Sequence, residues 1–166
     1  DWNLSEGTVF FSKRWKEMLG YAPEELGDSI NEWSDRLHPD DKARVMTEVQ
    51  DYLEGKAEAY ASEQRLRTKK GDYIWILDRG VIVAWDADGK PSRMIGTDSD
   101  ITARKQLELS LRLNQAELQE AQRIGNIGNW HMEVATGFVQ WSPHLFRMFG
   151  LAPGRGAPSF SEQSKI

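Results

Sequence analysis

No cysteine occurs among the 166 residues. That absence removes disulfides, thiolate nucleophiles and cysteine-ligated metals from consideration. Only three histidines are present. His131 and His144 are well separated and lack a paired acid, so no metal-ligand spacing exists. No apolar run approaches the roughly 18 residues that span a bilayer, and no signal peptide opens the chain. Lys and Arg form no block: the net charge is −5 with both signs dispersed. A nucleic-acid surface needs clustered cations to displace counterions, so that partner is not expected. Neither a phosphate-binding glycine loop nor a nucleophile–base pair appears, so no catalytic residue is assigned.

What is present suits a folded domain of ordinary size, with 39% hydrophobic and 28% charged residues. The stretch 69–105 organises the rest. Residues 73–85 are β-branched and aromatic with one glycine and no proline, which predicts a long strand. Asp86-Ala87-Asp88-Gly89 supplies the turn, and 94–101 returns as a second strand. Thr102 is the expected N-cap of a helix over 102–123, its hydroxyl taking a free N–H of the first turn.

Upstream, 2–4 and 8–11 read as short strands around Ser5-Glu6-Gly7. Ser12 caps a helix with Trp15, Met18 and Leu19 on its apolar face, and Gly20 ends it. Pro23-Glu24-Glu25 is one helical turn. Ile30, Trp33 and Leu37 mark another short packed element. His38-Pro39-Asp40-Asp41 opens a helix to about Leu53, with Ala43, Met46, Val49, Gln50 and Leu53 as its expected buried face. His38 is read as structural, and Asp40 and Asp41 as caps facing the helix dipole. Residues 58–68 form a further strand. Strands, a helix cluster, then more strands predict an α+β fold with an antiparallel sheet.

In the 102–123 helix, Leu107, Leu111, Asn114, Leu118 and Ala121 alternate spacings of four and three, the seam of a short coiled coil. Leu109 and Leu113 lie off that seam and could pack on the sheet. After the helix a repeat begins. Gly7 to Ser12 aligns with Gly137 to Ser142, and Gly20-Tyr21-Ala22-Pro23 with Gly150-Leu151-Ala152-Pro153, at a shared offset of 130. Trp2 matches Trp130 if two residues are inserted. The copy is cut short, so 125–166 is expected to be poorly ordered or held by a partner. The opening Asp1-Trp2-Asn3-Leu4 reads as the inside of a strand, so a longer parent protein is expected.

The ordered set Ser12 to Tyr21, Pro23 to Leu26 and Leu37-His38-Pro39-Asp40-Asp41 resembles the PAS family with a C-terminal PAC motif. Glu63-Gln64-Arg65, Gly71 to Trp75, Arg79-Gly80, Asp86, Gly89, Gly96-Thr97 and Asp100 to Lys105 continue that resemblance. It implies a five-stranded antiparallel sheet with helices on one face, followed by a long signalling helix. The implied domains are a sensory domain over 1–101, a connector helix over 102–124 and the start of a second, incomplete PAS domain over 125–166.

The resemblance implies a sensory and dimerisation module of a multidomain signal-transduction protein, with the output domain in the same chain. Histidine kinase and diguanylate cyclase or phosphodiesterase outputs are typical of the family. The alternative is a ligand-free dimerisation or spacer module. A homodimer through the connector helix is the expected assembly, in the cytoplasm, with any membrane anchor lying elsewhere in the full-length protein. If a ligand pocket exists, the family places it between the helices and the inner sheet face, near Phe10, Trp15, Tyr21, Trp33, Arg65, Leu66 and Trp75. Arg65 would favour an acidic ligand. No cofactor is assigned, and covalent flavin photochemistry is excluded by the missing cysteine. Asp100 and Thr102 are the expected signal-coupling residues.

Overall fold

A computed structural model describes residues 1–152 and 156–157. Pro153 of the repeat and the 158–166 tail lie outside the described residues. The chain divides into two compact units, Asp1–Leu107 and Glu108–Ile166.

In the first unit, strands β1 (Trp2–Asn3), β2 (Thr8–Val9), β3 (Tyr60–Arg67), β4 (Tyr73–Trp85) and β5 (Pro91–Asp100) form one antiparallel sheet in the order β2-β1-β5-β4-β3. Helices α1 (Lys13–Met18), α2 (Asn31–Ser34) and α3 (Pro39–Leu53), with a 3-10 turn at Pro23–Glu25, lie between β2 and β3 in sequence. β4 begins and ends where its β-branched run does. The turn after it is held by Asp86, whose Oδ1 accepts from the Asp88 and Lys90 amides at 2.9 Å.

On β3, side chains alternate strictly. Tyr60, Ser62, Gln64 and Leu66 are buried while their neighbours are not, because successive strand residues face opposite sides. Twelve buried side chains from α1, α2, α3, the sheet and the intervening loops make one core. α3 buries Asp41, Val45, Val49 and Tyr52, a narrower stripe than the expected one. Met46 is 43% exposed, and Ala43 and Gln50 are exposed too. On that stripe Asp41 meets Arg65 with two hydrogen bonds of 2.8 and 2.6 Å, while Val45, Val49 and Tyr52 enter the core.

Helix α4 (Thr102–Ile124) has no buried residue. Leu107, Leu109, Leu111, Leu113 and Leu118 are each more than half exposed. Among the described residues no helix is long and apolar enough to cross a membrane.

The second unit contains the hairpin β6 (Trp130–Glu133) and β7 (Phe138–Trp141), then α5 (Pro143–Met148). Among its described residues Trp141, Leu145 and Phe146 form a buried cluster. Met132 faces Val139 as Trp2 faces Val9. The offset of 130 therefore runs through the hairpin without insertion, and Trp2 corresponds to Met132, not to Trp130. The earlier pairing followed residue identity, whereas strand register is set by turn length, which is the same in both copies.

Candidate functional site

A cavity of about 500 Å³ lies between α1, α2, α3 and the inner sheet face. That volume falls within the ~300–1,000 Å³ range of ligand pockets. Its walls are Phe11, Trp15 and Trp33, with Met18, Val49 and Met94 beside them. Its floor is where β4 and β5 run side by side. Gly80 and Gly96 are directly opposed there. A side chain at Gly80 would collide with Met94 Cε, which would lie 2.1 Å from its Cβ.

Two acids stand on this floor. Asp78 and Asp98 are register partners across β4 and β5, half-buried, and both line the cavity. Asp78 Oδ2 accepts from Tyr60 Oη at 2.9 Å and from Gln64 Nε2 at 3.1 Å. Burial pushes its carboxyl up to about 6, against the pull of those two donors. Burial, followed by the neighbouring Asp78 charge, pushes Asp98 up to about 8. The Trp15 indole beside Asp98 acts in the other direction, although Trp15 Nε1 completes no hydrogen bond of ordinary geometry. Tyr60 is held protonated by burial and by the Asp78 charge. Asp98 Oδ1 and the Nε1 atoms of Trp2, Trp15 and Trp33 are closed to solvent and have no partner.

Of the residues expected at a pocket, Phe10, Trp15 and Trp33 line the cavity; Tyr21, Arg65, Leu66 and Trp75 do not. Strand alternation explains part of this. Arg65 and Trp75 are register partners, and they stand on the opposite parity to buried Gln64, Leu66 and Ile76. Leu66 shares the inner face but bridges to Leu37 instead. Tyr21 lies under Arg36, whose guanidinium is 4.8 Å from its ring. Arg65 is bound to Asp41, so it is not free to hold an acidic ligand. Its side-chain hydrogen bonds hold the Asp41 carboxyl below the usual carboxylate range, against the effect of burial.

Sequence reasoning missed Asp78 and Asp98. The signal was available in strand parity, since Ile76, Asp78, Gly80 and Ile82 share one face, as do Met94, Gly96 and Asp98.

The sheet meets α4 through a second set of contacts. Thr102 Oγ1 accepts from the Trp75 amide at 2.9 Å, and Asp100 Oδ1 accepts from the Thr102 amide at 2.8 Å. The Ile101 amide donates to Trp75 O at 2.9 Å. The cap of α4 is thus the Asp100 carboxylate, while the Thr102 hydroxyl ties the helix start to β4. Around this tie, Arg65 and Lys105 both stand over the Trp75 ring, at 5.2 and 5.0 Å. Arg104 and Lys105 pair with Glu63 of β3. His38 caps α3: its Nδ1 accepts from the Asp40 amide at 3.2 Å, and its own amide donates to Arg65 O.

Residues 8–98 match the family described as the PAS fold. The chain is similar to a crystal structure of a sensory box histidine kinase/response regulator from Burkholderia thailandensis. The two are 39% identical with a TM-score of 0.61, covering 72% of this chain and 87% of the other. It is 26% identical over 137 residues to a probable diguanylate cyclase of Escherichia coli, covering 82% of this chain and 12% of that protein. It is 33% identical over 89 residues to a hybrid signal transduction histidine kinase of Dictyostelium discoideum, covering 52% of this chain and 4% of that protein. The chain therefore spans only a small part of these two curated relatives.

Proposed function

Since this chain belongs to the PAS-fold family, we propose that its first unit is a sensory module of a multidomain signal-transduction protein, passing a change at the cavity into α4. The observation that carries this reading is the tie between Trp75 and Thr102, backed by Asp100, because it makes the start of α4 part of the sheet. A ligand biases such a junction only through its difference in affinity between two helix arrangements.

The leucines exposed along α4 support a homodimer through that helix, since such a seam is buried only against a second helix. The repeated hairpin and Ser-capped helix support a second PAS domain beginning in the second unit. The Escherichia coli relative fits this, because a match over 82% of the chain extends past Leu107. The full-length protein is read as a cytoplasmic-facing histidine kinase or cyclic-di-GMP enzyme with its output domain in the same chain. The fragment itself is assigned no catalytic role and no prosthetic group.

Thr102→Ala and Asp100→Ala, made in the full-length protein, test the junction. Each should change basal output or its regulation severalfold, with the circular dichroism of the module unaltered. Unchanged regulation in both variants would remove the relay. The α4 leucines equally suit ligand-free dimerisation and spacing. That second reading gains if the dimer persists and output ignores every change at the cavity.

A further inference from the structure

Asp78 and Asp98 stand directly opposite each other on adjacent strands, where two charged carboxylates would repel; Asp78 is tied to β3 by Tyr60 and Gln64, whereas Asp98 Oδ1 has no partner. Among the described residues no ion pair reaches Asp78 or Asp98. The groups facing the pair are Tyr60 and Gln64 of β3, Trp15 of α1, and the amino group of Asp1, which is the weakest influence on Asp98. Glu48 of α3 stands behind them, accepting from Ser62 Oγ at 2.6 Å. Arg14 lines the cavity from an exposed position. The site is therefore rich in acid and poor in buried positive charge.

Its walls carry the complementary property. Trp15 and Trp33 are 5% and 6% exposed, line the cavity, and leave their indole N–H groups unpartnered. Indole faces attract cations more strongly than other aromatic rings, most of all where water is excluded. An anion in the cavity would meet two carboxyl groups. A neutral apolar guest would leave Asp98 Oδ1 without a partner. A cation satisfies both the acids and the rings, and the free indole donors remain for an acceptor atom elsewhere on the same molecule.

We propose that the cavity selects a small organic cation: a protonated amine on an apolar body, held between the Asp78–Asp98 pair and the faces of Trp15 and Trp33. The inference rests on the sensory reading above and names its ligand class. Because the pair retains protons to unusually high pH, seating a cation beside it displaces a proton into solvent.

The test uses the 166-residue chain with indole nitrogens labelled, the Trp15 and Trp33 resonances being assigned through Trp15→Phe and Trp33→Phe. The probes are 2-phenylethylamine, its neutral analogue 2-phenylethanol, and the anion 3-phenylpropionate. The amine should move both resonances saturably, and calorimetry at pH 7 in two buffers of different ionisation heat should reveal release of up to about one proton. Asp78→Asn and Asp98→Asn should each weaken binding about tenfold or more. Tyr21→Phe, outside the cavity lining, should retain it, and unchanged thermal unfolding of the two Asn variants separates lost binding from misfolding.

If the alcohol or the acid binds as tightly as the amine, the cation assignment fails while a sensory cavity stands. If none of the three probes moves either resonance, the assignment fails together with the ligand-driven reading, leaving constitutive dimerisation.

Discussion

The segments 2–20 and 132–150 follow one hydrogen-bonding plan on very different foundations. Gly7 and Gly137 both turn their hairpins at φ +70°, donating to Asn3 O and Glu133 O at 2.9 and 2.8 Å. Ser12 and Ser142 both cap a six-residue helix, each with an Oγ that accepts from the third following amide at 3.2 Å. Both helices end at a left-handed glycine, Gly20 and Gly150. The first copy then lays Trp15 and Leu19 into a core of twelve buried side chains, whereas the second, among the described residues, shares in a cluster of three. Local geometry is written by turn and cap residues in both places. Stability comes from non-local burial, which among the described residues is far larger around the first copy.

The largest expected effect exploits that difference. Leu66 and Ile76 are fully buried in the first core, so Leu66→Ala or Ile76→Ala should cost about 2–5 kcal/mol in urea-induced unfolding. Phe146→Ala removes a larger side chain from the second cluster. It should nevertheless leave the main transition within about 0.5 kcal/mol, as at a site that does not bear on that core. A shift from Phe146→Ala matching that from Leu66→Ala would show one cooperative fold and erase the contrast.

A smaller effect distinguishes the copies by pH. Asp78 and Asp98 have folded-state values raised to about 6 and about 8, above the ~3.9 of an unfolded aspartate. Between roughly pH 4 and 8 the folded chain therefore holds more protons than the unfolded chain, and stability falls as pH rises through that window. The melting temperature of the first unit should drop between pH 5 and pH 8.5, and Asp98→Asn should flatten the slope. The second segment has no buried acid among its described residues. Its hydrogen-exchange protection, corrected for intrinsic rate, should not follow that trend. A rising melting temperature for the first unit over the same range would contradict the assignment.

Sequence pattern carried much of this fold but less of its site. Long β4, the Ser12 and Ser142 caps and the offset of 130 were readable because turn, cap and strand chemistry act within a few residues. The face of α3 was not, because its buried side chains meet partners far along the chain, as Asp41 meets Arg65, 24 residues away. The pocket expectation erred in the same way. It took the adjacent residues Arg65 and Leu66 together, although a strand sends neighbours to opposite faces. The start of α4 at Thr102 was readable, but the Thr102 hydroxyl accepts from the Trp75 amide of β4, a partner that no local pattern names.

The two serine caps give the smallest and sharpest comparison. Replacing an N-cap serine by alanine costs about 1 kcal/mol where the helix is coupled to the global fold. Ser12→Ala should lower the first unit's unfolding free energy by that amount, because α1 carries Trp15 into the core. Ser142 accepts one bond more than Ser12, from the Asn129 amide at 3.2 Å as well as from Leu145, so by local bonding its loss should matter at least as much. If global stability follows burial, Ser142→Ala instead leaves the main transition unmoved and appears only as faster exchange of the Phe146 and Phe149 amides, which close the turns of α5. Equal displacement of the main transition by both substitutions would mean that the second copy, three buried residues notwithstanding, is held by something its own segment does not supply.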